Sequence, residues 1–295
     1  MSRTIPEQLA ELKDFFEKEA ESIFPFTLPQ APVLGEAMAY SYHAGGKRIR
    51  PILALAAAKA LGKDPRLVVP AALAIEMIHT YSLIHDDLPA MDDDDFRRGR
   101  ATSHKVYGEA LAILAGDGLL TEAFHVAAAG MDNSISPSGK LRFIRELSRA
   151  AGIRGMVAGQ VMDMEHPDTG DADFLEQLHV RKTGAMIQIS CLVPAFLWEI
   201  PEKPWHSLRK YGEKIGLLFQ VVDDILDETA TLAQLGKTPG KDRKQHKITY
   251  PALYGRDGAA ELADSLLHEA LQALEDIPES ELLAGIARFI AKRSH

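Results

Sequence analysis

The chain has 295 residues, 46% hydrophobic and 25% charged, a balance that suits a folded globular protein and excludes a disordered one. Its net charge of -9 argues against a protein built to neutralise nucleic-acid phosphate, since that task needs a basic surface. The single cysteine, Cys191, lies in the apolar run Ile189 to Val193 and reads as a buried thiol, so nothing points to an oxidising compartment.

In chain order, Met1 to Glu21 mixes acidic and basic residues around no apolar core, unlike a secretory signal. No apolar run approaches the ~20 residues that span a bilayer, and the expected location is cytoplasmic. Apolar residues recur at helical spacing throughout: Leu9, Leu12, Phe15 and Phe16; Leu53, Leu55 and Leu61; Leu111, Leu114, Leu119 and Phe124; Leu262, Leu266, Leu267 and Leu271. Alanine, the best helix former, is dense in Leu53 to Leu61, Ala71 to Ala74 and Val126 to Ala129. Alternating β-branched runs closed by Asn-Gly or Asp-Gly turns are absent. Breaks are expected at Thr27 to Pro32, Gly62 to Pro65, Met131 to Lys140, His166 to Asp173, Ile200 to Pro204, Thr229 to Lys247 and Gly255 to Gly258. None has the length or composition of a linker. The expected fold is all-α, with residues 1–295 forming a single helical domain.

The segment Ile84 to Arg100 crowds six aspartates and three arginines into 17 residues. Charge runs are usually solvated faces. Here, however, the almost wholly apolar stretch Ala71 to Ile84 delivers Asp86 and Asp87 at the end of a buried helix. Pro89 lacks a backbone donor and should break that helix, letting Asp92 fold back toward the first pair.

A second acidic group occupies Phe219 to Asp227. On a helix Asp223 and Asp227 stand one turn apart on one face, with Gln220 on the same stripe and Asp224 beside them. Like charges at that spacing repel unless a cation sits among them, and the flanking Ile215 to Val222 is apolar. Oxygen ligands without histidine or cysteine suit Mg²⁺, which takes one or two carboxylates and fills its shell with water and phosphate oxygens. Two such groups suggest a phosphate clamp.

Gly45 to Pro51 places Lys47, Arg48 and Arg50 beside two glycines at the start of an apolar helix. It lacks the Walker A spacing. It reads either as a basic helix start or as a diphosphate socket in which Arg50 offers a planar fork and Lys47 a point charge. Further cations stand at Arg97, Arg98, Lys182, Lys237, Lys241 and Lys247, several of them next to the carboxylates. A metal-bound diphosphate requires that mixture, whereas a free divalent ion has no use for the arginines.

With Asp86-Asp-x-x-x-x-Asp92 and Asp223-Asp-x-x-Asp227 in this order, the chain resembles the trans-isoprenyl diphosphate synthases, and among them the bacterial farnesyl diphosphate synthases, from Gly45 to the C-terminus. The resemblance implies helices around a central active-site cavity, three Mg²⁺ ions and a homodimer. It implies that Asp86, Asp87 and Asp92 bind two metals, and Asp223 with Asp227 the third. It implies that Gly46, Lys47, Arg50, His79 and Arg98 hold isopentenyl diphosphate. Arg97, Lys182, Lys237 and Lys241 would hold the allylic diphosphate, with Thr183 and Gln220 lining the reacting carbons. Tyr81, five residues or ~7.5 Å along the helix before Asp86, would floor the chain pocket and stop growth at fifteen carbons, with the small Ser82 beside it.

Three other readings compete. Glu76-x-x-His79, Glu122-x-x-His125 and Glu176-x-x-His179 match the Glu-x-x-His unit of di-iron helical-bundle oxidases, but that site leaves the aspartates and Lys47 to Arg50 without a purpose. A calcium loop fails because Phe96 and Gly99 miss the required positions. Within the family, the alternative product is the twenty-carbon geranylgeranyl diphosphate.

Overall fold

The computed structural model describes residues 3–165, 171–229 and 248–292. Helices α1 (Ile5–Ile23), α2 (Pro32–Tyr42) and α3 (Ile49–Ala60) lead into a 3₁₀ turn at Pro65–Val68 and the buried helix α4 (Val69–Asp86). A hairpin of β1 (Phe96–Arg97) and β2 (Arg100–Ala101) follows, then α5 (Ser103–Tyr107), α6 (Glu109–Ala129), α7 (Pro137–Ala151) and α8 (Met156–Glu165). Helix α9 (Ala172–His179) passes through a π-turn, Val180–Gly184, into α10 (Ala185–Leu197). Helices α11 (Glu202–Thr229), α12 (Tyr250–Ala273) and α13 (Glu281–Ala291) complete the described chain.

The architecture is all-α, as the spacing of apolar residues predicts. Helix α4 forms its centre, touching α1, α2, α3, α6, α7 and α10. Leu73, Ile75, Met77 and Ile78 on it are fully buried. Removing each such side chain from water contributes about 1.5–3 kcal/mol, which fixes the helix that carries the first aspartates. Around it, α10 packs on α3 and α11, and α11 lies along α12.

Three expectations change. The break expected at Gly255 to Gly258 is a kink inside α12, where Gly255 alone leaves helical geometry at φ 72°. The unforeseen hairpin turns through Arg98 and Gly99 at φ 54° and 75°, the two-residue geometry usually supplied by Asn-Gly. Tyr40 holds it down, donating its hydroxyl to the Ala101 carbonyl at 2.7 Å and lying 4.3 Å under the Arg100 guanidinium. Finally, the stretches Pro65–Asp86 and Glu109–Ala129 are long and apolar enough to cross a membrane. The first is 78% buried within the protein, where it serves as the core helix, and the second is 39% buried.

Candidate active site

Helix α4 ends at Asp86, and the chain turns back as expected beyond Pro89. The Asp92 N–H donates to the Asp86 carbonyl at 2.8 Å, and the Asp94 N–H to the Asp87 carbonyl at 3.2 Å. This brings Asp92 into the field of Asp86. Burial raises the Asp86 carboxyl to about 6, a rise that Lys182 opposes and Asp92 and Asp163 reinforce. Asp87 is likewise lifted to about 6 by burial, against the pull of Arg97. Arg97 donates to Asp87 at 2.6 Å and lies 3.5 Å from Asp94.

The glycine-rich segment before α3 divides its cations by role. Arg48, the left-handed residue at the helix start, is buried and donates to Glu76 at 2.9 Å, Glu17 at 3.1 Å and the Tyr42 carbonyl at 2.6 Å. It is a structural cation. Arg50 carries a buried Nε with no hydrogen-bond partner among the described residues, and burial lowers its guanidinium to about 10. Arg98 donates to the Gly45 carbonyl and its guanidinium lies against Gly46. A Cβ at Gly46 would sit 2.7 Å from Arg98 Cζ, and the backbone there has φ 121°, so both space and conformation require glycine. His79, on α4, stands in the fields of Arg50, Arg98, Arg97 and Arg48 and is held well below the usual histidine range, first by burial. It is neutral at pH 7. Arg50, His79 and Arg98 thus form one positive cradle, while Lys47 lies exposed at its edge.

The π-turn presents Lys182 and Thr183, and such turns are frequent at functional sites because they push side chains out of helical register. Lys182 Nζ pairs with Asp163 Oδ2 of α8 at 2.6 Å. The helices meet closely here, for a Cβ at Gly159 would lie 2.2 Å from the Lys182 nitrogen. Asp163 and its neighbour Gln160, whose buried amide nitrogen has no hydrogen-bond partner among the described residues, escaped the sequence reading. Their only signal is Gly159-Gln160-x-x-Asp163, short polar punctuation in an apolar helix.

Helix α11 packs against the same π-turn. Gln220 Nε2 lies 3.0 Å from His179 Nδ1, and His179 Nε2 lies 3.8 Å from Asp224 Oδ2. Asp224 also accepts the Tyr250 N–H at 3.1 Å, and the His179 and Tyr250 rings stack at 5.4 Å. Asp224 is thereby committed to holding α9, α11 and α12 together. Asp223 is half-buried and Asp227 buried on the same helix. Lys237 and Lys241 lie outside the described residues.

Tyr81 is buried on α4, its ring 5.7 Å from His85 and edge-on to it. The field of Asp86 adds to burial in raising its hydroxyl, so the ring and the first aspartate are neighbours. Ser82 donates to the His79 carbonyl at 2.9 Å. Cys191 is buried and free, its thiol pushed up by burial. The Glu-x-x-His units do not share a centre: Glu76 is held by Arg48, His179 by Gln220, and His125 is exposed. A separate groove of about 620 Å³, rimmed by Arg142, Arg145, Arg149, Arg154, Arg181 and Arg209, contains none of the expected site residues.

The polyprenyl synthetase family model matches residues 31–282. A farnesyl diphosphate synthase of Geobacillus stearothermophilus is 48% identical over 264 residues, covering 89% of each chain. One from Bacillus subtilis is 41% identical over 297 residues and the full length of both. Among solved structures, a geranyltransferase from Legionella pneumophila superposes with a TM-score of 0.88 at 32% identity, covering 98% of each chain. A shared architecture and a family match across most of the chain place this protein in the polyprenyl synthetase family.

Proposed function

We propose that the protein is a prenyl transferase that condenses isopentenyl diphosphate with dimethylallyl and then geranyl diphosphate to give (E,E)-farnesyl diphosphate. The observation that supports it best is the return of Asp92 onto Asp86, within the field of the Lys182–Asp163 pair. Asp86, Asp87 and Asp92, with Asp223 and Asp227 on α11, offer only carboxylate oxygens, the donor set that suits magnesium. Burial that lifts Asp86 and Asp87 to about 6 fits the same assignment, because a bound cation offsets the cost of their ionised form. Three ions held there would act as Lewis acids on the leaving diphosphate.

The chain's own groups do the rest. Arg97 and Lys182, with Lys237 and Lys241, neutralise the allylic diphosphate as its C–O bond breaks heterolytically. Lys47, Arg50, His79 and Arg98, beside Gly46, hold isopentenyl diphosphate so that its double bond faces the allylic carbon. The neutral His79 donates a hydrogen bond without adding charge. Thr183 and Gln220 direct oxygen dipoles at the carbocation, and the amide of Gln220 is steadied by His179 and Asp224 behind it. The new carbon–carbon bond then forms, and the proton lost from the product leaves with diphosphate. Tyr81 bounds the growing chain, with Ser82 beside it.

We read the chain as one domain acting in the cytoplasm as a homodimer. Ile113 and Leu114 on α6, 43% and 55% exposed, support pairing of two copies across that helix. The test is incubation with Mg²⁺, isopentenyl diphosphate and dimethylallyl diphosphate, with product length read by chromatography. A fifteen-carbon product supports the reading, a twenty-carbon one moves it to geranylgeranyl diphosphate, and no condensation refutes it.

A further inference from the structure

Beyond the aspartates assigned above, a ring nitrogen of His104 and one carboxylate oxygen from each of Asp93 and Asp95 lie within 4.8 Å of one another. The two aspartates are exposed, but His104 is only 6% exposed. Its Nδ1 lies 3.1 Å from Thr102 Oγ1, while that hydroxyl donates its own proton to the Asp94 carbonyl at 2.7 Å. Thr102 Oγ1 can therefore only accept from the ring. Nδ1 carries the hydrogen and Nε2 is left with a lone pair, buried and without a hydrogen-bond partner among the described residues. A histidine whose second nitrogen donates to a fixed oxygen is oriented as metal-ligating histidines are.

We propose that Asp93, Asp95 and His104 form a further divalent-metal site, selective for a borderline ion such as Zn²⁺ or Co²⁺ over Mg²⁺. One imidazole and two carboxylates suit those ions, whereas magnesium prefers oxygen alone. Donors around zinc stand about 3.3 Å apart for bonds of ~2.0–2.1 Å, so the group closes by a small movement of the two exposed carboxylates. Lys105, 2.7 Å from Asp95, occupies part of the site and competes with the ion. The site spans the loop between Asp92 and Arg97, and an ion there would tie that loop to α5.

Calorimetry and visible absorption would follow Co²⁺ added to the full chain in excess Mg²⁺ and without diphosphate, so the result stands apart from the prenyl transferase reading. One Co²⁺ per chain is expected, with affinity reduced at least about tenfold in His104→Gln and in Asp93→Asn, and about 10–100-fold in Thr102→Val. Lys105→Met should tighten binding several-fold. Because His104→Gln removes a buried side chain and risks misfolding, Asp93→Asn at an exposed position keeps the test decisive. Absence of Co²⁺ binding, or unchanged stoichiometry and affinity in folded Asp93→Asn, would overturn the proposal.

Discussion

Lys182 Nζ stands 2.6 Å from Asp163 Oδ2 across the contact between the π-turn and α8, and Asp86 lies in the field of both. The pair holds the ammonium in place beside the first aspartate. Asp163→Asn should keep the fold but free Lys182 to move, lowering kcat by about 10²-fold, as misplacement of a charged group by ~1 Å does. Steady-state kinetics beside circular dichroism checks this, and an unchanged kcat would remove Asp163 from the account.

The raised carboxyls make a prediction with a definite sign. Asp86 and Asp87 ionise at about 6 in the fold against 3.8 when unfolded. Between those values the folded protein binds more protons, so stability of the metal-free form falls as pH rises through that window. Asp86→Asn should remove much of this slope. At pH 7 it should stabilise the metal-free protein by roughly 1–3 kcal/mol while abolishing turnover. Urea unfolding at pH 4 and pH 7 with a chelator measures both effects.

Gly46→Ala should strike the second substrate. Its Cβ would meet the Arg98 guanidinium at 2.7 Å, at a backbone φ that costs a side-chain residue about 1–3 kcal/mol. We expect KM for isopentenyl diphosphate to rise at least about tenfold, with kcat less affected. Equal loss in both substrates' KM would show a general distortion instead.

Much of this was legible in the residues. Pro89 after an apolar helix foretold the return of Asp92, and the 3.6-residue spacing foretold α1, α3, α6 and α12. What stayed hidden depends on contacts between distant segments. Arg48 and Glu76 are 28 residues apart, and no local pattern says which cation of Lys47, Arg48 and Arg50 will be buried as a structural one. The π-turn is another case: Ala185 donates to Val180, a register set where α8 and α11 press on it at Gly159 and Gly184. The Arg98-Gly99 hairpin was missed because arginine rarely takes positive φ, and here its side chain is held at Gly45.

Tyr81→Ala should lengthen the product from fifteen carbons to twenty or more, read by reversed-phase chromatography of the dephosphorylated prenols. Because the ring is buried, the variant should also lose about 3 kcal/mol of stability. Unchanged product length in a folded variant would make Tyr81 a core residue only.

Leu114→Glu, on the exposed face of α6, should convert a dimer to a monomer by light scattering, since a carboxylate in an apolar interface is unpaired on burial. A dimer of unchanged affinity would put the interface elsewhere.

The most direct measurement compares Asp86→Ala and Asp223→Ala with the unmodified chain, supplying Mg²⁺, isopentenyl diphosphate and labelled geranyl diphosphate. Labelled fifteen-carbon product is expected from the unmodified protein, with a fall of at least about 10³-fold in each folded variant. Substantial turnover in either variant would contradict the proposed function.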